Sequence, residues 1–265
     1  MSTVNVKSRN FQWSSSISYT HNDEKIVDLP DGDLIAKKLF EGHPIKTFYD
    51  FKYAGIWSTA EEEEAAKYGC QPGYVKIETV EQFTTDENGN LVGDGGVHTY
   101  SNTRDLQILG SNVPDGILGV NNTFKYRDFD LSVFAIVRYG QMIDSKTIGW
   151  YSANGNNQPR GTNYWTPENQ SAYFPRPGIA STTGIGSLKY IDGSYAKIKN
   201  ITLGYTFPKK LCKTLGLEQC RLYATAYNVF VLPFKSELKH SDPENNGSDT
   251  FPLYKTYLLG LNVSF

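Results

Sequence analysis

Strict alternation of apolar and polar residues is the dominant pattern along this chain. Over 11–19 the even positions are all polar, and the odd positions are apolar except for Ser15: they carry Phe11, Trp13, Ile17 and Tyr19. A period of two places successive side chains on opposite faces of a β-strand, so this segment is predicted to be an amphipathic strand. The pattern predicts further strands over 49–57, 117–126, 129–139, 195–207, 221–231 and 254–265.

The lengths of the predicted connections also alternate. Arg127-Asp128 joins two long amphipathic strands and predicts a β-hairpin, and 208–219 is a moderate link with room for one helical turn ending at Gly216. The segments 58–115, 144–193 and 232–250 are long, and the first of them includes a short acidic helix predicted over 60–67. Short turns at one end and long loops at the other are typical of outer-membrane barrels.

Strand directions agree with this layout when they are counted back from the last strand. Both short links then lie on the periplasmic side and the three long loops lie outside. The count makes 22–44 a rather long periplasmic link, or a segment that contains further strand pairing.

Two details favour a membrane barrel over a soluble β-sandwich, which also alternates. Aromatic residues concentrate near strand ends, as in Phe129 with Tyr139, and the strands reach the roughly 9–11 residues needed to cross a bilayer. The predicted fold is therefore all-β: about seven C-terminal strands of a large antiparallel transmembrane β-barrel with long extracellular loops, a partial barrel. The residues expected to face lipid are Leu118, Val120, Phe124, Leu131, Val133, Val137, Leu259, Leu261 and Val263.

Composition narrows the function classes. The 26 basic and 28 acidic residues nearly cancel, so there is no general electrostatic footprint for nucleic acid. No stretch is apolar enough for a membrane helix, and 1–10 lacks the apolar core of a secretory signal. Because a barrel of this kind must cross the inner membrane, we expect that Met1 is not the natural start of the protein.

Enzyme-like chemistry finds little support in the spacing of reactive residues. The four histidines, His21, His43, His98 and His240, lie in connections without a serine or cysteine at a recognisable spacing. The run 86–94 resembles a calcium loop but has Leu91 where that loop needs glycine, so a simple turn cluster is favoured. Cys212 and Cys220 flank one predicted turn, and the sequence leaves open whether they pair. We predict no catalytic residue, no metal and no cofactor.

The loop 144–193 is rich in aromatic residues beside asparagine, glutamine and arginine. Sugars present apolar C–H faces and many hydroxyls, and both suit such a surface. The residues expected to contact a ligand or a partner protein are Trp150, Tyr151, Arg160, Trp165, Tyr173 and Phe174. Self-packing of an ordered outer loop is the alternative interpretation.

Several stretches resemble the SusC/RagA family of TonB-dependent outer-membrane transporters, in the order in which that family has them. The most specific is Asp192-Gly-Ser-Tyr-Ala-Lys-Ile-Lys-Asn-Ile-Thr-Leu-Gly-Tyr-Thr-Phe-Pro208. The others are 5–13, 42–57, 93–97, 104–110, 126–131, 221–228, 242–244 and 260–265. The terminal Phe265, at the end of an alternating strand, resembles the C-terminal signal that barrel-assembly machinery reads in outer-membrane proteins.

The resemblance implies a 22-stranded barrel with an N-terminal plug in the outer membrane of a Gram-negative bacterium. It also implies import of starch or another oligosaccharide with a SusD-like surface lipoprotein, driven by TonB through an N-terminal part that is missing here. The whole chain, 1–265, is then the C-terminal portion of a receptor barrel without plug and signal peptide: a truncated gene product, a split gene or an expression fragment. The alternatives are a soluble carbohydrate-binding β-domain and an outer-membrane barrel that does not transport.

Overall fold

The structure is a computed structural model that describes residues 1–151, 161–179, 182–251 and 253–265. Its strands are β1 (Ser2–Lys7), β2 (Phe11–Thr20), β3 (Thr47–Ile56), β4 (Val75–Glu78), β5 (Phe83–Thr85), β6 (Leu91–Gly93), β7 (Leu106–Ser111), β8 (Gly116–Tyr126), β9 (Phe129–Tyr139), β10 (Met142–Asp144), β11 (Tyr190–Asp192), β12 (Tyr195–Thr206), β13 (Gln219–Pro233) and β14 (Thr256–Ser264). Its α-helices are α1 (Glu62–Lys67), α2 (Lys146–Gly149) and α3 (Lys209–Thr214). Among the helices so described, none has the length and apolar character needed to cross a membrane.

One antiparallel sheet of seven strands dominates the fold. Its order is β1-β2-β8-β9-β12-β13-β14, so each strand pairs with the strand of this sheet that comes next along the chain. β1 and β14 are the two edges, and the sheet does not close on itself. The prediction of an all-β chain that forms part of an antiparallel barrel is confirmed.

The connections of this sheet are short at one end and long at the other, as the sequence predicted. The segments 8–10, 127–128 and 207–218 make the short links, and 21–115, 140–194 and 234–255 make the long ones. Arg127 adopts a left-handed φ of 51°, which lets the glycine-free hairpin turn close. In the link after β12, α3 ends before Gly216, which has a φ of 71°.

The assignment of one predicted strand to the barrel is wrong. The segment 49–57 forms β3, but β3 pairs with β4 and β7 in a separate three-stranded sheet. The seventh strand of the large sheet is instead β1, which pairs with β2 from Ser2↔Ser16 to Lys7↔Gln12. The segment 22–44 therefore belongs to the long connection between β2 and β8. Of the two alternatives for it, further pairing is the one observed, in the isolated bridges Ile26↔Glu41 and Leu34↔Leu39.

The pairing register divides the large sheet into an apolar and a polar face. Residues directly opposite each other in neighbouring strands share a face, and the register places all the side chains that the sequence predicted to face lipid on one of the two faces. The pairs that place them are Leu118↔Val137, Val120↔Ala135, Asn122↔Val133, Phe124↔Leu131, Leu131↔Leu203, Leu203↔Ala224, Ala224↔Leu259, Leu222↔Leu261 and Cys220↔Val263. This apolar face is open: Leu259 is 76% exposed.

Side chains on the polar face pair with one another across the strands. Arg221 donates to both carboxylate oxygens of Asp130, and Thr202 and Thr225 hydroxyls lie 2.9 Å apart. Ser132 donates to Asn121 at 3.1 Å. The two faces thus suit two different solvents, one apolar and one aqueous.

The buried hydrophobic residues lie mainly in the long connections. One cluster consists of Ile143, Ile148, Leu188, Ile191 and Leu238. Two others consist of Trp57, Ala65, Cys70, Tyr74 and Ile179, and of Phe51, Val75 and Ile77. The long loops are therefore a folded layer with its own cores, here called the loop layer (21–115, 140–194 and 234–255, within the described residues).

Candidate functional site

Helix α2 decides which aromatic side chains of the long loop reach solvent. The Ser145 hydroxyl caps this helix by accepting a hydrogen bond from the Ile148 N–H at 3.4 Å. Ile148 is buried in the cluster that contains Leu238, which fixes the orientation of the helix. The two residues that follow then lie in different environments: Tyr151 is buried, at 6% exposed, and Trp150 is 52% exposed.

The buried aromatic residues around α2 are held by stacking and by hydroxyl hydrogen bonds. Tyr151 stacks on Phe174 with ring centroids 4.7 Å apart, and Phe174 meets the edge of Tyr173 at 5.3 Å. The Tyr173 hydroxyl donates to the Leu188 carbonyl, and the Tyr151 hydroxyl donates to the Pro175 carbonyl. Burial, with a smaller effect of Tyr164, raises the pKa of Tyr151 to about 12, so these hydroxyls stay neutral donors.

Four of the six predicted contact residues line one cavity of about 340 Å³, here called the aromatic cavity. They are Trp150, Tyr151, Tyr173 and Phe174, and the wall also includes Glu237, Lys239, His240 and Ser241. Trp165 is 4% exposed and lines a different groove with Tyr164 and Arg176. Arg160 lies outside the described residues. The burial of Tyr151 and Trp165 agrees with the alternative of self-packing for those two side chains.

A buried ion cluster fastens the loop after β13 to the polar face of the sheet. The Lys197 side chain is 1% exposed, and its ammonium lies 2.5 Å from both the Asp242 and the Glu244 carboxylates. Lys199 also pairs with Glu244. Burial alone would raise the pKa of Glu244, but the two ammonium groups outweigh it and hold that pKa below its usual value.

Sequence reasoning missed this cluster as a unit. Lys197 and the pair Asp242/Glu244 are separated by 45 and 47 residues, and neither spacing suggests contact. The usable signal was the lysine itself: Lys197 falls at an odd position, as do Ile201 and Leu203 of the predicted apolar face, and a lysine that is buried needs a carboxylate partner.

A second polar cluster lies in the loop 79–105. His98 is held between Asp94 at 2.7 Å and Asp105 at 3.0 Å, and Asp105 is fully buried. Asp105 also accepts hydrogen bonds from the N–H groups of Val80 and Ser101. Burial alone would lower the pKa of His98, but Asp105 and Asp94 outweigh it and raise that pKa.

The remaining candidates from the sequence are the run 86–94 and the three cysteines. Asp86 accepts hydrogen bonds from the N–H groups of Asn88 and Asn90, which makes the run 86–94 the turn cluster that the sequence favoured. All three cysteines are free thiols, so Cys212 and Cys220 do not pair. Within the described ranges, no group of three or more His, Cys, Asp or Glu side chains is placed to hold a metal ion.

Comparison with known proteins gives relatives of one kind. No protein-family model matches the chain. TonB-dependent receptor P3 of Formosa agariphila is 27% identical and covers 98% of this chain, and TonB-dependent receptor P26 of the same organism is 29% identical and covers all of it. TonB-dependent receptor SusC of Bacteroides thetaiotaomicron is 26% identical over 99% of the chain. The chain resembles the SusC/RagA family of TonB-dependent receptors. The resemblance inferred from the sequence is confirmed.

Solved structures agree on the fold. A structure of the RagAB peptide transporter superposes on the whole chain with a TM-score of 0.72 at 20% identity. The RagAB peptide importer in its closed-closed state gives a TM-score of 0.67, also at 20% identity. This chain spans 26–28% of the length of these curated relatives, and 28% of each of these solved chains.

The first prediction concerns the ion cluster. Lys197→Ala removes the cation that neutralises Asp242 and Glu244. We expect the loop 234–251 to lose about 3 kcal/mol of local stability. This is the low end of the range for a broken buried ion pair, because both carboxylates keep some contact with solvent. Hydrogen exchange of that loop measures the loss. Lys199→Ala, which removes a partly exposed lysine that pairs with Glu244 alone, is the matched control and should cost less. Equal protection in the Lys197→Ala variant and the unaltered protein would contradict the assignment.

The second prediction concerns pH. Because the folded protein raises the pKa of His98, its contribution to stability is complete below the unfolded value of about 6.5 and is lost as the pH rises through the folded value. Hydrogen exchange in the loop 79–105, corrected for the intrinsic rate, should therefore show more protection at acidic than at alkaline pH. His98→Gln should abolish this difference. A pH dependence that persists in His98→Gln would assign it to another group.

Proposed function

We propose that this chain is the C-terminal portion of the β-barrel of a TonB-dependent transporter in the outer membrane of a Gram-negative bacterium. The observation that supports the proposal most strongly is the similarity to three TonB-dependent receptors over at least 98% of the chain. The sheet adds physical support, because an open apolar face opposite a polar face is what a barrel wall between lipid and an aqueous lumen requires.

The apolar face of the sheet is the lipid-facing surface in this proposal. Leu259, Leu261 and Val263 on β14 are exposed as they would be against acyl chains. Asn122 and Ser15 are polar exceptions on the same face, and the Ser15 hydroxyl donates to the side-chain oxygen of Asn122 at 2.6 Å. Phe265, 86% exposed after the last strand, serves as the barrel-assembly signal.

The transported substrate in this proposal is an oligosaccharide. The aromatic cavity supports it, since it combines the half-exposed Trp150 with hydroxyl, amide and charged side chains at the loop end of the sheet. A SusD-like surface lipoprotein delivers the substrate, and TonB acts through an N-terminal part of the protein. A peptide is the second candidate substrate, because the structural neighbours with this fold are described as a peptide transporter and importer.

The proposed function needs no bond-making chemistry. The carboxylates of the two polar clusters are engaged by lysine, histidine or backbone N–H groups, which suits structural roles. Transport depends on binding and release, and the energy for it enters through TonB.

The third prediction tests the membrane placement. Val120→Lys puts a charge on the apolar face and should cost about 2–4 kcal/mol if that residue lies near the bilayer midplane. We expect much less assembled protein in the outer-membrane fraction. Asn121→Lys changes the next residue on the same strand, which faces the polar side, and should assemble normally. Equal amounts of both variants in the outer membrane would count against a lipid-facing surface.

The fourth prediction tests whether the chain is part of a longer receptor. We expect the genomic DNA upstream of Met1 to continue in frame, or in a frame broken by one shift, into further barrel strands and a plug. A promoter and a ribosome-binding site directly before Met1, without such a reading frame, would remove the transport proposal. The chain would then be tested as a soluble or partner-completed β-domain.

A further inference from the structure

The short links of the large sheet lie side by side along one edge of the fold. The Arg127 N–H donates to the Asn10 carbonyl at 2.9 Å, which joins the link 8–10 to the link 127–128. The Thr206 N–H donates to the Asp128 carbonyl at 2.8 Å, which joins the link 127–128 to the end of β12, where the link 207–218 begins. The three links therefore form one continuous surface, here called the short-link rim (8–10, 127–128 and 207–218).

The short-link rim is cationic. It carries five cationic side chains and two carboxylates, those of Asp128 and Glu218, so the net charge of its side chains is +3. All five cations are exposed, and none of them forms an ion pair with a residue that the structure describes. They are Arg9, Arg127, Lys209, Lys210 and Lys213.

The opposite end of the sheet is acidic. The three long connections, 21–115, 140–194 and 234–255, hold 25 of the 28 acidic residues of the chain but only 15 of its 26 basic residues, a net charge of −10. The net charge of −2 for the whole chain conceals this separation. The two ends of the sheet therefore attract ligands of opposite charge.

Aromatic side chains of the apolar face lie directly beside the rim. The rings of Phe129 and Tyr205 have centroids 4.7 Å apart, and Tyr205 meets the edge of Phe207 at 5.2 Å. The Arg127 guanidinium lies 5.5 Å from the ring centroid of Tyr126, which the pair Tyr126↔Phe129 places on the same face. Because aromatic rings favour the boundary between hydrocarbon and headgroups, the cations of the rim lie at headgroup depth.

Helix α3 and the residue after it combine the same two properties. Cys212 is buried, while Leu211 and Leu215 are exposed among the three lysines of the rim. A lysine side chain lays its hydrocarbon stem along apolar surface and keeps its ammonium in the polar layer. Exposed leucine beside exposed lysine therefore suits contact with acyl chains and with anionic headgroups at once.

We propose that the short-link rim binds anionic phospholipids, with the lipid phosphate among the cations of the rim and the acyl chains along the apolar face. This inference rests on the proposed membrane placement and adds to it the class of headgroup. Arg127 and the lysines of α3 offer charged N–H donors to the phosphate. A zwitterionic lipid has the same phosphate but also its own cation, which the rim repels.

The experiment compares dioleoylphosphatidylglycerol with dioleoylphosphatidylcholine, which have the same acyl chains and differ in net charge. The complete protein that the gene encodes is titrated with each lipid in detergent micelles, and native mass spectrometry gives the affinity for the first bound lipid. We expect phosphatidylglycerol to bind about tenfold more tightly, the effect of one or two cations near an anionic headgroup. Replacing Lys209, Lys210 and Lys213 together by glutamine should reduce this preference to about twofold. Replacing the same three by arginine keeps the charge and should keep the preference, which separates lost charge from misfolding.

The matched control replaces Lys25, Lys37 and Lys235 by glutamine. These three lysines are also exposed, but they lie in the long connections, so the net charge changes equally at the other end of the sheet. The preference for phosphatidylglycerol should stay at about tenfold. An equal loss in the control and in the rim variant would assign the preference to net charge and overturn the proposal.

The outcome also separates this proposal from the membrane placement on which it rests. Equal binding of the two lipids by the unaltered protein overturns the lipid preference. If Val120→Lys still fails to assemble in the outer membrane, the lipid-facing surface stands without it. If Val120→Lys and Asn121→Lys assemble equally well, the membrane placement falls and this proposal falls with it.

Discussion

The hydrogen-bonded register between neighbouring strands is the constraint on which the other features depend. Side chains alternate along a strand, so a shift by one residue would exchange the apolar and polar faces. β12 shows that the assignment of side chains to the two faces is maintained even where the pairing is irregular. Its pairing with β9 and β13 shifts between Ile198 and Asn200, and this bulge keeps Ile198 and Ile201 on the apolar face although they are three residues apart. If the strand kept its register at Ile198 without the bulge, Asn200 and Thr202 would lie on the apolar face.

The chain buries its hydrophobic residues in the connections rather than under the sheet. The apolar face of the sheet is open, and the polar face is covered in part by the loop layer, as the buried Lys197 shows. The sheet contributes backbone pairing and a pattern of faces. The loop layer contributes packed clusters such as Ile143, Ile148 and Leu238. Long loops without a core would lack the apolar burial that offsets the entropy of ordering them. The small strands β3, β4 and β7 show the same solution, since they pair with one another and pack Phe51 and Val75 between them.

Alternation in the sequence predicted six of the seven strands of the large sheet and the hairpin at Arg127-Asp128, because these features depend on local pattern. It could not tell that 49–57 belongs to another sheet, since a period of two indicates a strand and not its partner. β1 was not predicted because Ser2–Lys7 is short and has only two apolar side chains, Val4 and Val6, which an irregularity in the pairing with β2 separates. For the site, composition identified the aromatic loop, yet the exposure of Trp150 and the burial of Trp165 depend on packing that comes from distant segments. The ion cluster joins residues more than 40 positions apart and has no local signature.

Five successive residues, 238–242, connect the loop layer, the aromatic cavity and the sheet. Leu238 is fully buried in the cluster that also holds α2, and Lys239, His240 and Ser241 line the cavities around Trp150. Asp242 then pairs with Lys197 on the polar face of the sheet. This segment of the cavity wall is thus anchored at both ends, by the burial of Leu238 and by the ion pair of Asp242 with Lys197. Neither end can move without exposing apolar surface or leaving a buried charge unpaired, so the cavity is preformed and a ligand would lose little affinity to ordering its walls.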